Sequence, residues 1–540
     1  MESILILGAG LMQKPAIMAA KKAGYKAVVV DGNPNAVCSV DADDFRPIDL
    51  KDVDSLVALG RELKQNGGLK AVFTAGTDFS ASVAAVAQSC GLPGHTLESA
   101  KNASNKTLMR SCFAKAGVPS PGFSKLTEEN LKTELSEKKY NFPVVVKPVD
   151  NMGGRGCRLA RNEEELEPAC ESAVNNSRSK TAILEEYMDG PEYSIDSILF
   201  DGKLFITGFA DRHIKYPPYF IEVGHTMPTT CSHEQYCRLV SAFALGIKSL
   251  GLTCGAAKAD IKFTKNGPMI GEIAARLSGG YMSGWTYPYA SDCPLTEQAL
   301  AVSCGFTPEY LESHKVPLQF IPPESDKNAK APFEIFDIKC VRTSAERAWI
   351  SIPGFISSVS GLEDAANVKF VKDVLPRLGA GKSVTFPRNN VEKCGNIITA
   401  APTREEAVFA AEEAIRKITV RLKANNSVTD AFLSGLTENS EKGFPPAAYV
   451  LDERTNAELE KLHSELNIIP ADVPVSDFVP PFLKEFSKQG IKDWNYCTVE
   501  QTLKRFDILC PKHRKFDAYR FWKALIRGGI QGVLYAADSE

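Results

Sequence analysis

The chain has 540 residues, 44% of them apolar and 24% charged, which suits about three to four globular domains with sizeable cores. Its 63 Lys and Arg nearly balance 66 Asp and Glu, a net charge of −3, so no basic field draws it to nucleic acid. The 14 Cys are scattered without paired spacing, no apolar run is long enough to span a membrane, and the amino-terminal run lacks a cationic lead, so the chain reads as a cytoplasmic protein with reduced thiols.

In chain order, residues 4–7 (ILIL) predict a buried strand, Gly8, Ala9 and Gly10 a tight turn, residues 13–23 a helix, and residues 27–30 a second strand ending at Asp31. This βαβ opening invites a dinucleotide reading. The third glycine of G-x-G-x-x-G is Gln13, however, and the acidic residue closes its strand earlier than that motif requires. Residues 71–75 continue the sheet, and Gly76, Thr77 and Asp78 end it with polar groups where open α/β sheets place ligands.

Residues 142–158 read FPVVVKPVDNMGGRGCR, an apolar strand closing in Lys147 and then a loop holding Gly153, Gly154 and Gly156. Such a loop lets backbone N–H groups approach phosphate, and a strand-end lysine adds a point charge for the same anion. The pattern is not GxxxxGK[ST], so it is no P-loop. Residues 181–198, TAILEEYMDGPEYSIDSI, carry an apolar run into Glu185, Glu186, Tyr187 and Met188, with Glu192 four residues beyond. Extended backbone there can meet an adenine edge, and a carboxylate so placed can meet ribose hydroxyls; the plainer reading is an acidic bend between strands.

Residues 209–230, with Asp211, Arg212, His213, His225 and two adjacent prolines, read as too irregular for a regular element. Residues 256–280, AAKADIKFTKNGPMIGEIAARLSGG, read as a hairpin around Asn266 and Gly267. A five-residue loop over residues 264–268 sets Asp260 opposite Glu272, so both carboxylates share a face. Like charges side by side repel without a cation between them, and Mg²⁺ suits one or two carboxylates plus phosphate oxygens. A two-residue turn shifts the pairing by one and puts the carboxylates on opposite faces.

Lysine loop, acidic hinge and carboxylate hairpin, in that order, resemble the ATP-grasp superfamily of carboxylate–amine ligases over roughly residues 1–420. The chain is also similar to the amino-acid ligases and the carbamoyl-phosphate-synthase-like members of that superfamily. The resemblance implies that Lys106 and Lys147 contact ATP phosphates and that Gly153, Gly154 and Gly156 form the closing loop. It implies that Glu185, Glu186, Tyr187 and Met188 form the adenine hinge, that Glu192 binds ribose, and that Asp260 and Glu272 hold Mg²⁺, or Mn²⁺ in its place. Arg276 matches the arginine on the transferring phosphate or substrate carboxylate. Glu222, Gly224, His225 and Pro228 match a segment lining the substrate pocket of amino-acid ligases. One departure stands out: where the family often has Asn two positions after the second metal carboxylate, this chain has Ala274.

Further on, strand-like runs precede a helix whose Val408, Ala411, Ile415, Ile418 and Leu422 fall at helical spacing, a stripe that reads as core. After residue 424 the resemblance stops. Cys510 and His513 are too sparse for a zinc site.

The fold expected is α/β and multi-domain. It comprises a doubly wound βαβ domain (1–100), a two-lobed α+β ATP-grasp core (101–306, lobes 101–187 and 188–306) and an α+β closing domain (307–424). A linker (425–446) and a mostly helical appendage (447–540) complete it. The function expected is an ATP-dependent ligase that activates a carboxylate as an acyl phosphate for attack by an amine, with ATP and Mg²⁺ as cofactors. Its partners are small molecules, without nucleic acid or membrane, and a homodimer is the assembly considered. Two rivals are a bicarbonate-activating carboxylase of the same superfamily and an ATP-binding scaffold without turnover.

Overall fold

The computed structural model describes residues 1–137, 140–435, 443–464 and 468–539. The chain divides into two compact units: Met1–His213 with His225–Ala345 and Ala401–Arg404, and Ile214–Gly224 with Glu346–Ala400 and Glu405–Glu540.

The first unit opens with β1 (Ser3–Leu7), α1 (Lys14–Lys22), β2 (Lys26–Val30), β3 (Asp44–Arg46), α2 (Val53–Gln65), β4 (Leu69–Phe73) and α3 (Ser80–Ser89). The strands form a parallel sheet of order β3-β2-β1-β4. Parallel strands are covered on both faces, and every residue of β1 is buried. The turn after β1 is occupied by protein: Ala9 N–H donates to Asp31 at 2.8 Å, and buried Gln13 bonds Thr74 and the backbone of Ala75. Asp31 and Gln13 thus take up the positions where a dinucleotide fold needs a ribose carboxylate and a glycine.

Next come α4 (Leu97–Ser104), α5 (Lys106–Ala116), β5 (Phe123–Thr127), α6 (Leu131–Glu137), β6 (Val144–Pro148), β7 (Arg158–Ala160), α7 (Glu163–Asn176) and β8 (Thr181–Glu186). Asn105 caps α5 through Thr107 and Leu108, which fixes Lys106 as its first residue. β5-β8-β6-β7 is an antiparallel sheet, and α7, with three Glu in its first turn, packs Leu166, Ala169 and Ala173 onto Val144, Val146 and Leu184.

A third sheet runs β13-β12-β9-β10, from β9 (Glu192–Phe200), β10 (Lys203–Lys215), β12 (Gly255–Thr264) and β13 (Gly267–Ala274). β11 (Ile221–Met227) and α8 (His233–Leu250) lie between β10 and β12 in sequence, and α8 opens with a capping box of Ser232 and Gln235. Residues 209–230 therefore hold two strands around the Pro217-Pro218 turn, where the sequence suggested no regular element. Charged residues hid the alternation: Asp211 pairs with Arg404, and Arg212 with Glu192. The unit closes with α9 (Tyr287–Ser291), α10 (Leu295–Ser303), α11 (Glu309–His314), β14 (Lys315–Pro317) and β15 (Glu334–Ile338), the last parallel to β10.

β16 (Thr343–Trp349) leads on to β17 (Gly354–Ser360), α12 (Leu362–Ala366), β18 (Val371–Pro376), β19 (Ser383–Val384), β20 (Gly395–Ala401), α13 (Arg404–Lys417) and β21 (Thr419–Leu422). Then follow α14 (Ser427–Ser434), α15 (Glu453–Ser464), β22 (Ile468–Ile469), α16 (Pro481–Lys488), α17 (Val499–Leu509), β23 (Phe516–Asp517) and α18 (Ala518–Ser539). Ala411, Ile415, Ile418 and Leu422 of the expected stripe are core, but Val408 is only half-buried, α13 ends at Lys417, and Leu422 belongs to β21.

The carboxyl-terminal segment departs from the expected layout. α14 occupies part of the supposed linker, with Phe432 fully buried; residues 436–442 of that linker lie outside the described residues. Trp349, Ile415, Phe432, Phe506 and Trp522 belong to one apolar cluster, so the described helices after residue 426 share a core with residues 349–422. Among the described residues no helix is long and apolar enough to cross a membrane.

Candidate active site

The carboxylate hairpin is built differently from the simple expectation. Thr264 pairs with Gly267, so only Lys265 and Asn266 form the turn. That tight turn alone would set Asp260 opposite Gly271. The ladder instead slips between Ile261, paired with Ile270, and Asp260, paired with Glu272. Gly271 is the extra residue of a β-bulge, and the bulge returns both carboxylates to one face. A Cβ on Gly271 would sit 3.1 Å from Asp260 O and 3.4 Å from Met188 Cε, so a side chain there would press on the Asp260 backbone.

Around this pair unit 1 assembles a web of cations. Lys106 Nζ lies 3.4 Å from Glu272 and donates to Asn151 O at 3.2 Å. Lys258 Nζ meets Asp260 at 2.7 Å and Arg212 meets it at 3.1 Å. Burial pushes both carboxyls up, but the cations outweigh it. Lys106, Lys258, Lys147 and Arg276 hold Glu272 well below the usual range, and Arg212 and Lys258 hold Asp260 low. Burial likewise depresses Lys106, but Glu272 and Asp78 more than compensate and its pKa is raised. Both carboxylates are therefore ionised and presented as oxygen donors.

Lys147, near the end of β6, meets Glu185 at 2.6 Å, and Arg110 of α5 meets the same carboxylate at 2.7 Å. Glu185 thus faces inward between two cations, while Glu186 points out and accepts from Gly122 N–H at 3.1 Å. The chain continues with Tyr187, whose ring lies 5.1 Å beneath Lys262 Nζ, and Met188, whose carbonyl accepts from Lys262 at 3.0 Å. Glu192 starts β9 and holds Arg212 at 2.6 Å, with Lys262 at 3.5 Å. Gly153, Gly154 and Gly156 all take positive φ between β6 and β7. At Gly156 a Cβ would come within 2.7 Å of Asn176 Cβ, so the loop can lie this close to α7 only with glycine there.

Arg276 Nε and Nη2 donate to Asp78 at 2.7 and 2.5 Å, and Nη1 donates to Leu277 O at 2.9 Å. The polar end of β4 that the sequence singled out is what orients this guanidinium. Asp196, fully buried on β9, accepts from Ser278 N–H at 3.2 Å through both oxygens, and burial pushes its carboxyl up to about 6. His225 is fully buried on β11. Sequence patterns gave no sign of Arg110, Lys258 or Lys262, because basic residues on a helix or an alternating strand read by default as solvent-facing.

The donors present suit Mg²⁺. Asp260 and Glu272 supply carboxylates, Ser194 Oγ lies 3.4 Å from Asp260 Oδ1, and Ala274 adds no oxygen. Mg²⁺ binds through one or two carboxylates when phosphates complete its shell, so Asp260 and Glu272 would hold such an ion in the presence of a polyphosphate. Among the described residues no cluster of three or more His, Cys, Asp or Glu is arranged to hold a metal.

Residues 140–284 match the ATP-grasp domain family and residues 348–423 match the L-amino acid ligase C-terminal domain 2 family. The "Uncharacterized protein y4rH" of Sinorhizobium fredii (strain NBRC 101917 / NGR234) is 25% identical over 376 residues, 69% of this chain and 72% of that protein. Among solved structures, L-amino acid ligase from Bacillus licheniformis superposes with a TM-score of 0.65 at 19% identity, over 78% of this chain and 99% of that one. Phosphoribosylglycinamide synthetase from Anaerococcus prevotii gives 0.57 at 20%, over 78% and 100%. A biotin carboxylase from Campylobacter jejuni gives 0.55 at 20%, over 78% and 92%. These likenesses establish the fold.

Proposed function

We propose, from the ATP-grasp domain matched over residues 140–284 and the L-amino acid ligase C-terminal domain 2 matched over residues 348–423, that this chain joins a carboxylate to an amine at the expense of ATP. The observation that carries the reading is the bulged hairpin, which sets Asp260 opposite Glu272 within reach of Lys106, Lys258 and Arg212. The likeness to Bacillus licheniformis L-amino acid ligase supports amino acids as the substrate class.

In this reading a substrate carboxylate oxygen attacks the γ-phosphorus, the bond to the β-bridging oxygen breaks, and ADP leaves. The amine lone pair then forms the C–N bond, phosphate departs with the C–O electrons, and the amine sheds a proton. Lys106 and Lys147 hold the phosphates in line, and Arg276, steadied by Asp78, faces the transferring group or the substrate carboxylate. Tyr187, Met188 and Glu192 receive the nucleoside, with Glu185 and Glu186 fixing the hinge strand. The loop of Gly153, Gly154 and Gly156 excludes water, which would hydrolyse an acyl phosphate. Bound Mg²⁺ would neutralise charge developing on the phosphates.

The test is ADP release across a screen of amino acids, other carboxylates and amines, with nucleotide affinity measured alongside. Glu272→Gln and Asp260→Asn should lower turnover by orders of magnitude, about several kcal/mol, while part of the ATP affinity survives through the hinge. Equal turnover in wild type and both variants removes the metal assignment. ADP release that depends on bicarbonate alone moves the protein to the carboxylating branch, and no turnover at all leaves it a nucleotide-binding scaffold.

A further inference from the structure

Arg110 is 1% exposed and spans two parts of the site at once. Its Nε donates to Glu185 at 2.7 Å, and its Nη2 donates to Gly271 O, also at 2.7 Å. Gly271 is the bulge residue, the one whose displacement sets Glu272 opposite Asp260. A bulge leaves its extra residue without a ladder partner, so its carbonyl needs a donor from elsewhere. β13 is also the edge strand of its sheet, and its outer side is held from α5 and the loop beyond. Ile270 N–H donates to Pro119 O at 3.0 Å, and Ile273 N–H approaches Met109 Sδ at 3.4 Å. Arg110 lies one turn after Lys106 on the same helix, so a single face of α5 reaches Glu272, Glu185 and the bulge.

We propose that Arg110 is a positioning residue. It holds the register of β12 and β13 by clamping the Gly271 carbonyl, and so makes nucleotide binding responsive to a divalent cation. The alternative register, with Asp260 opposite Gly271, would turn Glu272 to the other face of the hairpin. A planar guanidinium can donate to two acceptors in fixed directions, whereas an ammonium on a flexible stem is a single point charge. Arg110→Lys therefore keeps a cation beside Glu185 but cannot also hold Gly271 O.

The experiment has two arms on the full chain. Hydrogen exchange of the ligand-free protein follows residues 258–274. Calorimetry follows ATP affinity with Mg²⁺ and with EDTA; this arm rests on the proposed ATP-dependent function, whereas the exchange arm does not. For Arg110→Lys we expect exchange in β12 and β13 to rise about tenfold or more. The Mg²⁺-dependent gain in ATP affinity should fall about tenfold, and metal-free affinity should stay within about threefold of wild type. Unchanged exchange overturns the proposal, as does a parallel fall of both affinities, which marks a merely structural role. If Arg110→Lys fails to fold, Gly271→Ala strains the same bulge with Arg110 intact and should give the same separation; an unaltered Mg²⁺ dependence there overturns the proposal equally. Wild type that binds no ATP would remove the functional reading, and the exchange arm alone would then decide the role of Arg110.

Discussion

Glu185 in the first unit and Asp493 in the second are both buried carboxylates, 2% and 6% exposed, and their acidities move in opposite directions. Burial pushes both up. At Glu185 Arg110 and Lys147 make direct contact and reverse the effect, holding the carboxyl below its usual value. Among the described residues Asp493 accepts only backbone N–H groups, from Asn495 and Cys497 at 2.9 Å each, while Arg505 and Arg416 act from a distance, and its carboxyl stays up at about 6. The difference lies in the partner, not in the depth. The first unit concentrates paired charge at the place proposed for polyanion binding, whereas Asp493 organises a turn in an apolar core.

Neutralising the two carboxylates should therefore have opposite signs. Glu185→Gln leaves Arg110 and Lys147 buried without their anion and should cost about 3–5 kcal/mol of stability, the usual penalty for breaking a buried pair from one side. Glu185 has a lowered folded-state pKa, so its contribution is present above its unfolded pKa of 4.5 and is lost as pH falls through the folded value. Denaturant unfolding of wild type and variant at neutral pH checks the sign. A variant as stable as wild type would mean that the pair does not compensate its own desolvation.

Asp493→Asn should stabilise the protein. The raised carboxyl makes folding less favourable as pH rises from the unfolded value of 3.8 through about 6, because the unfolded chain gives up its proton first. The stability lost across that window is up to about 3 kcal/mol at 1.36 kcal/mol per unit. An amide can still accept from Asn495 and Cys497 through its carbonyl oxygen, so the variant should lose the pH slope and gain a comparable amount at pH 7. A slope that persists unchanged would place the titration on another group.

The comparison also separates what sequence reveals from what it hides. Strand-end Lys147, the glycine loop and the strand end at Glu185 and Glu186 were legible because each depends on local residue order. The pairing of Asp260 with Glu272 was legible in outcome but not in cause. The turn is two residues long, and the bulge that restores the register depends on Arg110, 161 residues away. Arg276 and Asp78 are 198 residues apart, so their ion pair left no trace in either segment. The helices after residue 447 could be read from the sequence, whereas α14 (Ser427–Ser434), inside the supposed linker, could not. Their shared core with Trp349 and Ile415 could not, because burial between distant segments has no local period.

The smallest expected effect sharpens the contrast most. Lys147 is 15% exposed and shares Glu185 with Arg110, so Lys147→Ala leaves the buried carboxylate one partner at 2.7 Å. Stability should fall far less than in Glu185→Gln. The missing point charge should instead appear in nucleotide binding, as a loss of at least about tenfold in Mg·ATP affinity, or 1.4 kcal/mol. Calorimetric titration and thermal unfolding, run on the same samples, distinguish the two readings. Weaker binding with a nearly unchanged unfolding temperature assigns Lys147 to the phosphates. Unchanged affinity removes it from the site, and destabilisation equal to that of Glu185→Gln would make it a structural counter-ion like Arg110's guanidinium.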